Sequence, residues 1–161
     1  MKALIVYYSL EGNTKDTAEK IARKTGADLL CLEPVKAYPS TGPAKYIQGG
    51  LAVISGAKPP LKPYICNLKD YDTVIIGSPI WAGTYAPPIR SFLAEHSLAG
   101  KHLAFFACSK SGSADKYFAN LQKGLGSAPV AELSLIDPFQ SPAPENEAKI
   151  SAFCDAINAL N

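Results

Sequence analysis

The chain has 161 residues, of which 47% are hydrophobic and 19% charged, with a formal net charge of +2. That profile describes one globular domain with a real core and excludes a disordered chain; so small a charge gives no electrostatic footprint for nucleic acid. No run approaches the roughly 20 apolar residues that span a bilayer, and the N-terminus carries no small-residue cleavage signal, so the expected setting is the cytoplasm, away from membranes.

Cysteines 31, 66, 108 and 154 are far apart and form no C-x-x-C pair. Free thiols that serve as core atoms are the expectation. His96 and His102 lie six residues apart, at a predicted helix end and strand start, and no metal-ligand spacing is present. The charge is unevenly placed. Residues 34–68 hold Lys36, Lys45, Lys58 and Lys62 and no acidic residue, which leaves 12 basic against 14 acidic residues in the remainder.

In chain order, residues 2–8 read as a central strand, apolar on both faces. A helix follows over 14–25, with Asn13 as N-cap, an apolar stripe of Ala18, Ile21 and Ala22, and Gly26 as its stop. Residues 28–33 make a second strand. Composition then shifts to a proline- and glycine-rich excursion over about 34–70, with a helix at 44–54 interrupted by Gly49-Gly50. A connection of that length points to a functional excursion. Residues 73–77 form a third strand, and the breaker-rich residues 78–85 read as loop. Pro87-Pro88 starts a helix with Ile89, Phe92 and Leu93 inward. The fourth strand spans 102–108, and residues 109–113 form another polar loop. The next helix carries Tyr117, Phe118, Leu121 and Leu125 on one side. A fifth strand at 131–136 alternates as an edge strand does, and a last helix from about Pro144 turns Ile150, Phe153, Cys154, Ile157 and Leu160 inward.

Five strands alternating with helices predict an α/β fold: a doubly wound five-stranded parallel sheet, order 2-1-3-4-5, with helices on both faces. In that order the loops after strands one, three and four meet at the carboxyl edge, where the winding reverses and ligands bind.

The first loop, Ser9, Leu10, Glu11, Gly12, Asn13 and Thr14, offers two hydroxyls, a glycine and a helix N-terminus, a set that suits a phosphate. It contains no lysine or arginine, and Glu11 is expected to turn its side chain away. An ordinary capped turn is the plain alternative. The letters exclude other readings: one glycine is too few for a Rossmann fingerprint, and Gly-Asn-Thr is not the Gly-Lys-Ser/Thr of a triphosphate loop. The acidic strand ends of a receiver domain are absent, and no arginine follows Cys108 as a cysteine phosphatase requires. The second loop offers Trp81, the only tryptophan, or Tyr85 as a stacking surface for a flat aromatic ring; the plain alternative is a core aromatic. Cys108 and the strand residues Tyr7 and Tyr8 read most simply as packing.

The hydroxyl-x-x-Gly-Asn-Thr pattern of Ser9 to Thr14 resembles the phosphate loop of the flavodoxin family, and Gly77-Ser78-Pro79-Ile80-Trp81-Ala82-Gly83-Thr84 resembles a loop that borders the flavin in one flavodoxin-like branch. The resemblance implies one non-covalent FMN and electron transfer. It implies that Ser9 to Thr14 hold the phosphate and that Pro79, Ile80, Trp81, Ala82, Gly83, Thr84 and Tyr85 line one side of the ring. Ser109, Lys110, Ser111 and Gly112 would reach the other side or the pyrimidine edge. Partners would be redox proteins or a small-molecule electron donor or acceptor, and the protein a monomer or homodimer. An NAD(P)H-dependent flavin or quinone reductase on the same scaffold is the alternative, and a flavin-free module that keeps the phosphate loop is a third. Two features depart from the family pattern. Typical flavodoxins are strongly acidic, and this chain is slightly basic. The lysine-bearing excursion, with Tyr38, Tyr46 and Tyr64, is expected either to cover the sheet edge as a solvated loop or to fold over the flavin mouth or a dimer contact, attracting an anionic substrate.

Overall fold

The first apolar run forms β1 (Ala3–Tyr7), and alternate side chains leave it for opposite faces of a sheet, Ile5 to one and Val6 to the other. In the computed structural model, which describes residues 2–111 and 113–160, the other parallel strands are β2 (Asp28–Cys31), β3 (Thr73–Trp81), β5 (His102–Ser109) and β6 (Ala131–Ile136), and a short β4 (Thr84–Tyr85) pairs antiparallel with the end of β3. The order is β2-β1-β3-β5-β6. Counted without the short β4, this is the expected 2-1-3-4-5 arrangement. The register places Tyr7 beside Gly77 and Gly77 beside Phe106, so the carboxyl ends share one edge.

Helices α1 (Asn13–Thr25) and α5 (Asn146–Asn158) cover one face, where Ile21, Ile150, Phe153 and Ile157 pack on Ile5, Ile75 and Phe106. Helices α3 (Pro87–Glu95) and α4 (Asp115–Leu125) cover the other, where Ile89, Phe92, Tyr117 and Leu121 pack on Val6, Val74, Ile76 and Phe105. The three central strands β1, β3 and β5 therefore bury both faces, as their continuous apolar runs require, while the edge strand β2 is largely exposed and β6 buries only Leu133 and Leu135. Gly77 is needed at the sheet centre because a Cβ there would stand 1.9 Å from the buried Phe106 ring.

The structure departs from the sequence-based expectations in four places. First, β3 runs four residues past Gly77, and residues 78–85 are a β-hairpin instead of a loop. Second, α2 (Gly42–Ile54) begins earlier than expected and runs unbroken through Gly49-Gly50. Gly49 serves close packing, because a Cβ there would meet the Trp81 ring at 3.2 Å. Third, α5 starts at Asn146, leaving Pro144 outside, and Leu160 lies beyond its end, half-buried. Fourth, α1 is capped by Gly12 at φ +97, with Asn13 as its first helical residue. The excursion is closed on itself by an antiparallel bridge between Pro34 and Leu61 and tied to α3 by the Ser91 hydroxyl, which donates to Pro59 O at 2.7 Å. No helix among the described residues is long and apolar enough to cross a membrane.

Candidate functional site

A cavity of about 290 Å³ opens at the carboxyl edge, beside the β1–β3 boundary where the winding reverses. It is close to the lower end of the size range of small-molecule sites. The loops after β1 and β5 supply two of its walls, the hairpin after β3 a third, α2 a fourth, and Asp137 after β6 closes one end.

The first loop reaches the cavity through Ser9, Leu10, Glu11, Asn13 and Thr14. Gly12 turns the chain through a left-handed conformation, and a Cβ there would meet the Phe139 ring at 3.3 Å. The N-terminus of α1 is thereby brought to the cavity with its first N–H groups free of intrahelical acceptors. The Lys15 N–H donates to Ser9 Oγ at 3.2 Å, so Ser9 does the capping expected of Asn13. Asn13 instead holds the loop after β6: its Oδ1 accepts from the Phe139 N–H at 2.9 Å, and its Nδ2 donates to Asp137 Oδ1 at 3.3 Å. Thr14 is buried at the cavity floor. Glu11 does not turn away. It lines the cavity and takes a 2.5 Å ion pair from Lys45 of α2, with side-chain exposures of 27% and 12%. The pair joins α2 to the first loop and compensates the only carboxylate of residues 9–14.

The hairpin brings Pro79, Ile80, Trp81 and Ala82 to the cavity. Ala82 at φ +46 and Gly83 at φ +79 are the two turn residues between the Trp81–Thr84 pair, the left-handed geometry that suits a two-residue hairpin. Trp81 sits edge-on to Tyr38 at 5.1 Å and to Tyr8 at 5.6 Å. It is thus held by a core aromatic cluster and is also a cavity wall. Gly83, Thr84 and Tyr85 are directed elsewhere because the hairpin folds back toward α4. Gly83 faces the Lys116 stem, Thr84 is buried with its Oγ1 accepting from Asn120 at 3.0 Å, and Tyr85 meets Tyr117 and the Arg90 guanidinium.

Of the third loop, Ser109 and Lys110 line the cavity, Ser111 is exposed outside it, and Gly112 lies outside the described residues. The Lys110 ammonium donates to Tyr46 Oη at 3.3 Å, a second tie between α2 and a sheet-edge loop. Cys108, the penultimate residue of β5, is buried beside the cavity. Burial pushes its thiol up to about 11, and Thr17 Oγ1 lies 3.5 Å from its sulfur. A protonated, packed thiol is a poor nucleophile.

Sequence reasoning missed Lys45, Tyr46, Gly49 and Gly50 of α2 and Asp137. The signals for the first four were the length of the excursion and its acid-free run of lysines with Tyr46, which marked the stretch and not these residues as part of the site. Nothing marked Asp137, which is tied to Asn13 across 124 positions of sequence. Asp137 and Ala82 are the only non-glycine residues with positive φ among the described residues, and both line the cavity. Strained backbone held by its surroundings concentrates at such sites. Among the described residues no cluster of three or more His, Cys, Asp or Glu side chains could hold a metal ion.

The model of the flavodoxin family matches residues 2–142. Among solved structures, the chain is similar to a candidate flavoprotein from Bacteroides eggerthii DSM 20697, at 27% identity over 99% of each chain with a TM-score of 0.79. It is also similar to a flavoprotein from Lactobacillus acidophilus NCFM solved in complex with FMN, at 25% identity over 92% of this chain and 97% of that one, TM-score 0.71. Oxidised flavodoxin 2 from Bacillus cereus shares the fold at 21% identity over the whole of both chains, TM-score 0.63.

Proposed function

Because the chain belongs to the flavodoxin family, we propose that it binds one FMN in this cleft and works in electron transfer. The observation that carries the reading is the meeting of an α1 N-terminus and a tryptophan wall in one cavity at the winding reversal. The donor set fits a phosphate: loop and first-turn N–H groups, the Thr14 hydroxyl beside them, and Glu11 neutralised by Lys45. The walls fit a flat ring, since Trp81 stands on one side, backed by Gly49 of α2, which lets the helix pack closely on the indole. When bound, FMN supplies the redox chemistry itself. Among this chain's residues, Ser9 to Thr14 bind the phosphate, with Gly12 shaping the turn. Pro79, Ile80, Trp81 and Ala82 orient the ring and exclude water, and Ser109 and Lys110 border its far edge. The free state of all four cysteines supports a cytoplasmic setting, and the electrons pass to or from a redox protein or a small molecule.

A second reading, an NAD(P)H-dependent flavin or quinone reductase, is favoured by the Lys110 ammonium at the cleft, where a strongly acidic flavodoxin surface would repel a nicotinamide phosphate. Two measurements separate the readings. Purified protein should be yellow, and FMN added to apoprotein should quench the emission of Trp81; no quenching would leave the flavin-free module standing. Anaerobic NADPH should leave a carrier oxidised and rapidly bleach a reductase.

A further inference from the structure

We infer that Lys110, held in place by Tyr46, gives this cleft a preference for the reduced form of its flavin and so suits the protein to two-electron exchange; the inference rests on the FMN reading above. Four ionisable carboxylate and ammonium side chains line the cavity among the described residues: Glu11, Lys45, Asp137 and Lys110. Glu11 and Lys45 cancel each other at 2.5 Å. Asp137 sits at the phosphate-loop end, where its carboxylate accepts from the Asn13 amide. Lys110 has no carboxylate within ion-pair distance among the described residues, and its ammonium rests on the Tyr46 hydroxyl at 3.3 Å. The Lys45 ammonium also lies 4.9 Å from the Tyr46 ring centroid, so the α2 edge presents two cations around one phenol. The opposite end presents a carboxylate.

Reduction of FMN by two electrons and one proton leaves its ring one unit more negative than before. The phosphate keeps the same charge in both forms, so any contact to it cancels in the ratio of their affinities. Among the charged side chains of the cleft, only those that sense the ring change that ratio. A cavity of about 290 Å³ is roughly 8 Å across, no more than the ~8 Å screening length at physiological ionic strength. An uncompensated ammonium on its wall therefore attracts the added charge of a ring that lies toward Lys110, the end of the cleft away from the Asp137 carboxylate. Tyr46 acts as a positioning residue: its hydroxyl fixes a long, otherwise mobile side chain at the mouth.

The test compares dissociation constants for oxidised FMN, by fluorescence titration of apoprotein, with those for reduced FMN, obtained from the bound-flavin potential against a reference dye under dithionite. Lys110→Gln should lower the preference for reduced over oxidised FMN by about three- to tenfold, a tenfold loss being about 30 mV for a two-electron couple. Lys110→Glu should lower it further, and Lys110→Arg should retain it. Tyr46→Phe should give a smaller loss in the same direction, and at 1 M salt the differences should shrink. Equal weakening of both forms in Lys110→Gln would make Lys110 a phosphate contact and overturn the inference, as would an unchanged ratio. Wild-type apoprotein that binds no oxidised FMN would remove the underlying FMN reading itself, and this inference with it.

Discussion

Ala82 stands at φ +46, where an L side chain crowds the following carbonyl. It holds that conformation because the Ile80–Tyr85 and Trp81–Thr84 pairs fix both arms of the hairpin. Ala82→Gly should therefore raise stability by about 1 kcal/mol, read as a higher urea midpoint with an unchanged slope. A lower midpoint would show that the methyl group contributes packing instead. Cys108 makes the contrasting case, a side chain whose surroundings suppress its chemistry. Burial lifts its thiol, and that of Cys154, to about 11 from an ordinary 9. The neutral thiol is the form the fold favours, so this contribution to stability is complete below pH 9 and lost as the pH climbs towards 11. At pH 8, iodoacetamide should label exposed Cys31 first and leave Cys108 and Cys154 unmodified, as peptide mass mapping would record. Fast labelling of Cys108 in the native protein would remove the packing assignment.

Helix α2 shows most clearly what a sequence conceals. Two adjacent glycines argue for a break on propensity alone, and the helix nevertheless runs through them because one sits against Trp81. A Cβ on Gly50 would meet nothing within 4 Å, whereas one on Gly49 would press on the indole at 3.2 Å. Gly50→Ala should stabilise the apoprotein by up to about 1 kcal/mol. Gly49→Ala should gain less or lose stability, and it should shift the emission of Trp81, the only tryptophan. Equal gains with unchanged emission would mean that α2 does not bear on the ring. The strands and the other four helices were legible because their apolar periods match the two faces of one sheet. The β3–β4 hairpin was not, because its β4 arm is two residues long and its turn uses an alanine where glycine is the usual signal. The polar loops could be placed at one edge from strand order alone. Which of their residues face the cavity depended on that hairpin and on α2.

Across the whole molecule the charge asymmetry resolves into local pairs. Of the four lysines in the acid-free excursion, Lys62 is paired with Glu33 at the surface and Lys45 with Glu11 in the cleft, while Lys36 and Lys58 do not line the cavity. The sequence offered either a solvated loop or a cover over the mouth whose lysines attract an anion; of the four lysines only Lys45 lines the cavity. Pairs as exposed as Lys62–Glu33 contribute little, and a field from scattered surface lysines is screened by salt. Lys45 is different because its partner belongs to the loop proposed to hold the phosphate: without the ammonium, the Glu11 carboxylate would face that dianion unpaired. Lys45→Gln should weaken FMN binding by about tenfold or more at low salt, and Glu11→Gln in the same chain should restore much of the loss. A triple substitution of Lys36, Lys58 and Lys62 by glutamine should leave both FMN affinity and the rate of reduction by NADPH within about twofold of the parent. Fluorescence titration and anaerobic stopped-flow bleaching decide between the two distributions of charge. If the triple variant loses as much as Lys45→Gln, the excursion acts as a collective field and the Glu11–Lys45 pair is only one contributor to it.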